Sequence, residues 1–344
     1  MNTLGYIGSK KSLIPFIHQK IKEHIPDLDK CVFGDLFAGA GSFSFFTSPL
    51  VKTMIANDLE EYSYIINSAL ISCEFTTKLQ TLIKELNELT GVTGLVYKNF
   101  SPNEDCARMF FTRENAKLID AARQQLYMWL FYNEINQKEH DFLLASLLVS
   151  LDKVSNTSCV YGAYLKEFKK SAKKKLIIVP IHTRTEQHSS GNCATMSSAE
   201  IIAKNYEFDA VYLDPPYNQR QYAANYSPLN YIASYDENVI LMGKTGLMKD
   251  YNKSDFCSKR KVKKSFETLI ENLNTRYIFL SYNNEGLLSL EELKTILEKK
   301  GRIVLYKKKY PKFKARRDVA GDFVTEYLWF VEVGCSGYEV ITED

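Results

Sequence analysis

Three short apolar runs, each ending in an aspartate, most constrain the fold of this chain. The runs are CVFGD, TMIAND and AVYLD, and their final residues are Asp35, Asp58 and Asp214. Short apolar runs of this kind are typical of buried strands, and segments with helical spacing follow them. Strands that alternate with helices indicate a parallel or mixed doubly wound sheet. Because ligands bind beyond the carboxyl ends of such strands, the three aspartates should face one crevice.

The middle of the chain interrupts this alternation. Segments such as AKLIDAARQQLYMWLFYNEI and HDFLLASLLVSL predict long amphipathic helices, and the loop-rich stretch KVSNTSCVYGAYLK follows them. The strand–helix pattern returns at FDAVYLD and continues to TEYLWFVEV. We therefore predict an α/β domain formed by residues 1–74 and 191–344, with a mainly helical domain, residues 75–190, inserted into it.

Positive charge is concentrated in three places, although the net charge of the chain is only +3. The basic runs occupy residues 166–175, 259–264 and 307–317. A basic run is most often a solvated face. Three of them with interleaved aromatic residues nevertheless favour a polyanionic partner.

Cysteine and histidine spacing argues against a metal site. The seven cysteines include no CxxC pair, and the five histidines show no HExxH pattern. The N-terminal residues contain no apolar signal core, and no apolar run is long enough to span a bilayer. These features predict a metal-free cytoplasmic protein that is not held in a membrane.

The segment DLFAGAGSF places two glycines, Gly39 and Gly41, directly after the first predicted strand. Such a turn lets a ligand approach the backbone closely, although an ordinary tight turn would look the same. No GK[ST] follows, which excludes a Walker-type loop, and the Asp35 carboxylate would repel phosphate and attract ammonium or sulfonium. Asp58 could accept hydrogen bonds from ribose hydroxyls or cap a helix. Together these features favour S-adenosylmethionine over NAD or ATP.

The segment DPPY, residues 214–217, forms a rigid group of hydrogen-bond acceptors. The two prolines fix the backbone and remove its donors, so that the Pro215 carbonyl and the Asp214 carboxylate stand free to accept. Both could hold the exocyclic amine of a base, whose ring would stack on Tyr217. Accepting both amine hydrogens would release the nitrogen lone pair and make it nucleophilic. The alternative is a turn that proline merely stiffens after a strand.

At this point the sequence resembles the Dam-like class of DNA adenine-N6 methyltransferases. The resemblance rests on YIGSKKSLIPFI at the N-terminus, DLFAGAGSFSF after the first strand and DPPY after a later one, an order that defines the alpha arrangement. DPPYNQRQYAANY, FLSYNNEG and KKYPKFKARR with the later TEYLWF look closer still to methyltransferases of restriction-modification systems with asymmetric sites. The resemblance implies a Rossmann-like sheet, S-adenosylmethionine as cofactor and double-stranded DNA as substrate. It also makes a cognate restriction endonuclease a candidate partner.

The resemblance assigns roles to individual residues. Catalysis falls to Asp214, Pro215, Pro216 and Tyr217. Cofactor binding falls to Tyr6, Lys10, Asp35, Phe37, Ala38, Gly39, Gly41, Asp58, Leu59 and Asp214. The usual acidic contact to the cofactor adenine is missing from NCATMSSAEII, which leaves Ser198, Glu200 or a backbone amide to replace it.

A target base inside a duplex must be flipped out, at a cost of a few kcal/mol, and contacts to the DNA backbone must supply that energy. The residues predicted to bind DNA are Lys173, Lys174, Lys175, Arg220 and Tyr222. Arg220 and Tyr222 follow the DPPY loop, where they could hold phosphates or fill the gap left by the base. The loop SNTSCVYGAYLK is the predicted base-reading segment.

Two other classes of function compete with this interpretation. A methyltransferase of the same fold could act on cytosine N4, on RNA or on a glutamine amide, but such enzymes often carry Ser or Asn where Asp214 stands. A DNA-binding protein without catalysis would have no need of an intact glycine loop and an Asp214–Tyr217 pair.

Overall fold

The computed structural model describes residues 1–5, 10–158, 160–186, 189, 191–311 and 323–343. The strands are β1 Val32–Asp35, β2 Thr53–Asp58, β3 Cys193–Met196, β4 Ala210–Leu213, β5 Leu241–Met242, β6 Leu247–Met248, β7 Tyr277–Asn283, β8 Gly301–Pro311, β9 Phe323–Val333 and β10 Tyr338–Glu343. The helices are α1 Ile14–His24, α2 Ser42–Thr47, α3 Glu61–Ser72, α4 Thr77–Glu88, α5 Leu95–Phe100, α6 Arg113–Phe131, α7 Gln137–Lys153, α8 Ala199–Asn205, α9 Tyr222–Asn225, α10 Ser227–Ser234, α11 Val262–Asn272 and α12 Leu290–Leu297.

An eight-stranded sheet runs through the molecule in the order β3–β2–β1–β4–β7–β9–β8–β10. Neighbouring strands are parallel except at β9, which runs antiparallel to both β7 and β8. The predicted α/β fold with a mixed sheet is therefore confirmed. The strand order reverses between β1 and β4, where Asp35 pairs in register with Tyr212. A switch point of this kind is where open α/β sheets bind ligands.

Helices cover both faces of the sheet because successive strand residues point to opposite sides. In β4, Tyr212 faces a core that includes Ile17 and Ile21 of α1. Its neighbours Val211 and Leu213 face a second core, built with α8, α11 and α12. Both cores consist of residues that are almost completely buried, so the strands read as nearly continuous apolar runs.

The described part of residues 75–190 contains the helices α4 to α7 and no strand of the sheet. Side-chain caps begin the longer helices: Thr76 starts α4, Thr112 starts α6, and Asn136 forms a capping box with Glu139 at α7. The apolar residues of these helices belong to the same core as α1 and α3. The helical segment thus continues one face of the sheet, and its separation as a recognition domain stays a prediction.

The described residues contain neither a candidate membrane span nor a candidate metal cluster. None of their helices is long and apolar enough to cross a membrane. Nor do they group three or more histidine, cysteine or acidic side chains in a way that could hold a metal ion.

Candidate active site

A cavity of about 770 Å³ opens at the carboxyl edge of the sheet, at the switch point. The structure brings Asp35, Asp58 and Asp214 together in its wall, because β1, β2 and β4 are adjacent, parallel strands. Other residues singled out in the sequence also line it, namely Lys10, Phe37, Ala38, Gly39, Leu59, Pro215, Pro216, Tyr217, Tyr222, Ser198 and Glu200.

The glycine loop bends sharply between β1 and α2. Gly39 and Gly41 have positive φ angles of 51° and 74°, a region that side chains other than glycine rarely adopt. A Cβ atom on Gly41 would also lie 2.5 Å from Leu70 Cδ1. The Gly39 carbonyl accepts hydrogen bonds from Ser63 Oγ and Asn67 Nδ2 of α3, which fixes the loop on that helix. Gly41 itself does not line the cavity; its contribution is to the conformation of the turn.

Asp58 holds two loops together at the end of β2. One carboxylate oxygen accepts a hydrogen bond from the Gly39 N–H at 2.7 Å, and the other accepts from the Glu60 N–H at 3.1 Å. The N-cap of α3 is Glu60, so Asp58 does not cap this helix. Burial raises the pKa of Asp58 above its ordinary value, although these backbone donors oppose the shift.

Asp35 is almost completely buried, with 1% of the residue exposed. Its Oδ2 atom accepts a hydrogen bond from Ser44 Oγ at 2.7 Å. Within the described residues, its Oδ1 atom and Ser42 Oγ have no hydrogen-bond partner. Burial raises the pKa of Asp35 to about 7, with the charges of Asp214 and Asp58 adding to the effect. An unpaired acceptor at the bottom of a cavity is a site where a cationic donor would bind.

The DPPY loop directly follows β4 and lines the same cavity. Asp214 Oδ1 has no hydrogen-bond partner in the described part of the chain. Lys10 Nζ lies 3.7 Å from this oxygen, an ion pair rather than a hydrogen bond, and 5.6 Å from the centre of the Tyr217 ring. Burial raises the pKa of Asp214 to about 6, while Lys10 opposes the shift and Glu326 adds to it.

Glu326 of β9 is a part of this cluster that sequence reasoning missed. Its carboxylate accepts a hydrogen bond from Lys10 Nζ at 3.0 Å. Burial alone would lower the pKa of Lys10, but the two carboxylates outweigh burial and raise it. The ammonium of Lys10 is therefore held charged beside the DPPY loop.

A second missed feature is a strap, residues 252–257, that joins the two sides of the cavity. Asn252 donates to the Leu59 carbonyl, beside the acidic end of β2. Gln221 exchanges two hydrogen bonds with the backbone of Ser254, at 2.8 and 3.0 Å, and so ties the strap to the segment after DPPY. The Phe256 ring packs edge-on against Phe37 at 5.0 Å.

Cations line the side of the cavity formed by the strap and the start of α11. The exposed side chains of Lys253, Arg260, Lys261 and Lys264 all belong to this wall. Lys261 pairs with Asp255 at 3.0 Å. The sequence predicted positive charge at residues 259–264, but it did not predict that these side chains would line the cavity. We call these four residues the cationic wall.

The structure places the remaining predicted residues elsewhere. Lys173, Lys174 and Lys175 are exposed and line a separate depression near the start of α6, where Asn115 accepts from the Leu176 N–H and donates to the Lys174 carbonyl, both at 2.8 Å. Arg220 is exposed and does not line the cavity. Tyr6 lies outside the described residues, as does the basic run beyond residue 311.

Comparison with known proteins places the chain in a family. Residues 6–296 match the family model of the D12 class N6 adenine-specific DNA methyltransferases. The chain is 41% identical to the Type II methyltransferase M.NlaIII of Neisseria lactamica over 335 residues, covering 96% of this chain and 99% of that protein. It is 39% identical to the Type II methyltransferase M.CviAII of Paramecium bursaria Chlorella virus 1, covering 97% and 99%. A 36% identical relative, the Type II methyltransferase M.FokI of Planomicrobium okeanokoites, matches 96% of this chain with 52% of its own length.

The chain therefore belongs to the D12 class N6 adenine-specific DNA methyltransferase family. The family expected from the sequence is confirmed, and so is the reaction, methylation of adenine N6 in DNA. The names of the relatives also confirm the expected link to restriction-modification enzymes. The roles of the individual site residues stay predictions.

Proposed function

We propose that the protein transfers a methyl group from S-adenosylmethionine to the N6 amine of an adenine flipped out of duplex DNA into the cavity of about 770 Å³. One observation carries the proposal: Asp214, whose buried Oδ1 atom has no hydrogen-bond partner among the described residues, lines that cavity together with Tyr217. A carboxylate and an aromatic face are what an adenine amine and its ring require.

The acidic half of the cavity fits the cofactor. When bound, S-adenosylmethionine would supply an electrophilic methyl group on a sulfonium. Asp35, with its buried unpaired oxygen, would attract the cationic part of the molecule. Asp58, whose carboxylate already orders the Gly39 loop, would accept hydrogen bonds from the ribose hydroxyls.

Asp214 and the Pro215 carbonyl would each accept one hydrogen of the target amine. The lone pair of the nitrogen would then form the bond to the methyl carbon, while the sulfur–methyl bond breaks and its electrons stay on sulfur. The nitrogen becomes cationic as this bond forms, and the Asp214 carboxylate stabilises that charge. One N–H proton leaves afterwards through Asp214 to solvent. Tyr217 would stack on the base and hold it in place.

DNA would approach from the side of the cationic wall. The four cations lie at the same cavity as DPPY, so phosphates beside the flipped nucleotide could reach them. The predicted base-reading loop is tied to the segment after DPPY, since the Tyr161 N–H donates to the Asn225 carbonyl at 2.8 Å. We also propose a cognate restriction endonuclease as a functional partner, on the basis of relatives named as Type II methyltransferases.

Transfer of labelled methyl groups tests the proposed function directly. The protein is incubated with S-adenosylmethionine carrying a tritiated methyl group and with DNA, RNA or protein, and the labelled nucleosides are separated. We expect label in N6-methyladenine from duplex DNA. Label in N4-methylcytosine, in RNA or in protein would contradict the assignment of the substrate. Modification-sensitive sequencing of DNA from an expressing host would then give the recognition site.

Asp58→Ala tests the cofactor site. Loss of charge-assisted hydrogen bonds, worth roughly 1.5–3 kcal/mol, should weaken binding of S-adenosylmethionine by about ten- to a hundredfold in calorimetry. Because Asp58 also holds Gly39, thermal unfolding must show that the variant is folded. Asp58→Asn is the matched control, since it can still accept from the Gly39 N–H and should lose less affinity. Unchanged affinity in a folded Asp58→Ala protein would contradict the assignment.

A further inference from the structure

A buried ion cluster at the DPPY loop involves Glu326 of β9, a residue for which the sequence predicted no role. Lys10 Nζ lies 3.0 Å from Glu326 Oε2 and 3.7 Å from Asp214 Oδ1. The side chains of Lys10, Glu326 and Asp214 are only 8%, 15% and 18% exposed. The shorter contact is a hydrogen bond and the longer one is not. The ammonium is thus turned towards Glu326.

We infer that Glu326 is a positioning residue that holds the Lys10 ammonium away from the Asp214 carboxylate, so that this carboxylate stays free to accept the substrate amine. The inference rests on the proposed role of Asp214. A lysine side chain is flexible, and a small movement would close the 3.7 Å gap if Glu326 released it. Lys10 would then occupy the acceptor that the amine needs.

Glu326 also changes the net charge of the cluster. With both carboxylates ionised, Lys10, Asp214 and Glu326 together carry one negative charge. The amine nitrogen becomes cationic as it takes the methyl group, and a negative cluster stabilises this change. Without Glu326 the cluster is neutral, and the Lys10 ammonium would oppose the developing charge.

The pH dependence of the reaction separates this role from simple support of the fold. Lys10 lowers the pKa of Asp214 and Glu326 raises it, on top of the larger effect of burial. Removing Glu326 should therefore lower the pH at which the reaction gains activity, and removing Lys10 should raise it. Among the described residues, the other titratable groups in electrostatic contact with this cluster are Asp35, Tyr212, Tyr217 and Tyr222, and Glu285 acts on Tyr217.

Single-turnover methylation rates against pH test the inference in Glu326→Gln, Lys10→Met and the double variant. For Glu326→Gln we expect the plateau rate to be lower by about ten- to a hundredfold, as for a misplaced reacting group. The pH midpoint of the rate should be lower than in the wild type, and DNA affinity should be unchanged. Lys10→Met should shift the midpoint upward. Removing Glu326 should cost much less in the Lys10→Met background than in the wild type, because the larger part of its effect acts through Lys10.

Glu332→Gln is the matched control. This residue lies in the same strand and pairs with Arg302 at 3.5 Å, and it does not line the cavity. We expect the rate of this variant to be unchanged. Wild-type rates in Glu326→Gln, or rate losses that add in the double variant, would overturn the inference. So would midpoints that move in the same direction in both single variants.

If Glu326→Gln fails to fold, Lys10→Met still tests the inference, because the pH midpoint of the rate must be higher in this variant than in the wild type. Failure of the proposed function looks different from failure of this inference. It would appear as wild-type protein that puts no label into adenine, whereas the inference can fail only against an active wild type.

Discussion

Asp214 is the residue on which the proposed chemistry depends most. Its carboxylate, which lines the cavity, matters most when the amine nitrogen becomes tetrahedral and cationic, so its loss should affect turnover more than binding. Asp214→Ala should bind DNA about normally and methylate almost nothing. Single-turnover rates and DNA affinities measured on the same protein test this. A near wild-type rate would mean that DPPY is only a stiff turn.

Tyr217 should act differently, by holding the base. Stacking of a base on an aromatic ring is worth about 1–3 kcal/mol. Tyr217→Phe keeps the ring, so its rate and DNA affinity should be close to those of the wild type. For Tyr217→Ala, the losses in rate and in DNA affinity together should amount to the stacking free energy. Equal losses in the two variants would show that the hydroxyl, and not the ring, carries the role of Tyr217.

Local pattern could predict some site residues but not others. Asp35, Asp58 and Asp214 stand at the ends of apolar runs, so the sheet itself places them at one edge. Glu326 gives no such signal. Glu332 lies six residues further along β9, on the same side of the strand, and forms an ordinary ion pair with Arg302. Only the packing of β9 against β7, together with the approach of Lys10 from the N-terminus, distinguishes the two glutamates.

At the scale of elements, the two lysine-rich segments make different predictions for DNA binding. The cationic wall lines the cavity, whereas the loop with Lys173, Lys174 and Lys175 lies at a separate depression near α6. Each phosphate contact that is lost should flatten the slope of log affinity against log salt by up to roughly 0.9. We expect a flatter slope when Lys253, Arg260 and Lys264 are replaced by alanine. A second triple variant, at residues 173–175, tests the original sequence prediction in the same way.

Cofactor affinity is the control for these variants. Because the cationic wall lines the cavity proposed to bind S-adenosylmethionine, its residues could instead hold the carboxylate of the cofactor. Weaker cofactor binding with an unchanged salt slope would assign them to that role. For residues 173–175, an unchanged slope would mean that this basic run is only a solvated face.

Elements with weak local signals escaped prediction. The strand β3 has four residues, mostly half-exposed, at one edge of the sheet, and β10 is a largely exposed strand at the other edge. Neither has the apolar run of a central strand, because an edge strand buries less of its surface. The strap is a loop whose position depends on Asn252 and Gln221, and side-chain to backbone hydrogen bonds of this kind have no periodic pattern.

At the scale of the whole molecule, several carboxyl groups buried around one cavity link stability to pH. Burial raises the pKa of Asp35 to about 7 and that of Glu60 to about 8. In the unfolded chain such groups titrate near pH 4. As the pH falls through the higher, folded-state values, the folded protein takes up protons that the unfolded chain does not. Stability should therefore increase as the pH is lowered from about 8 to about 6.5.

A buried histidine opposes this effect at lower pH. Burial lowers the pKa of His18 to about 4, while an unfolded histidine titrates near pH 6.5. Below about pH 6.5 the unfolded chain therefore takes up a proton that the folded state does not bind, and His18 begins to reduce stability. His18 thus offsets part of the effect of the buried acids, which outnumber it and keep protons that the unfolded chain lacks down to about pH 4.

Urea unfolding of the protein without cofactor should show this pH dependence. We expect the urea midpoint to rise as the pH is lowered from about 8 to about 6.5. The free energy of unfolding should increase by up to about 1.4 kcal/mol per pH unit for each proton taken up. Glu60→Gln removes one of the buried acids and keeps an acceptor for Asn230, which now donates to Glu60 at 2.6 Å. This variant should be relatively more stable at pH 8 and show a shallower pH dependence. A midpoint that rises with pH over this range would contradict the raised pKa values of the buried carboxyl groups.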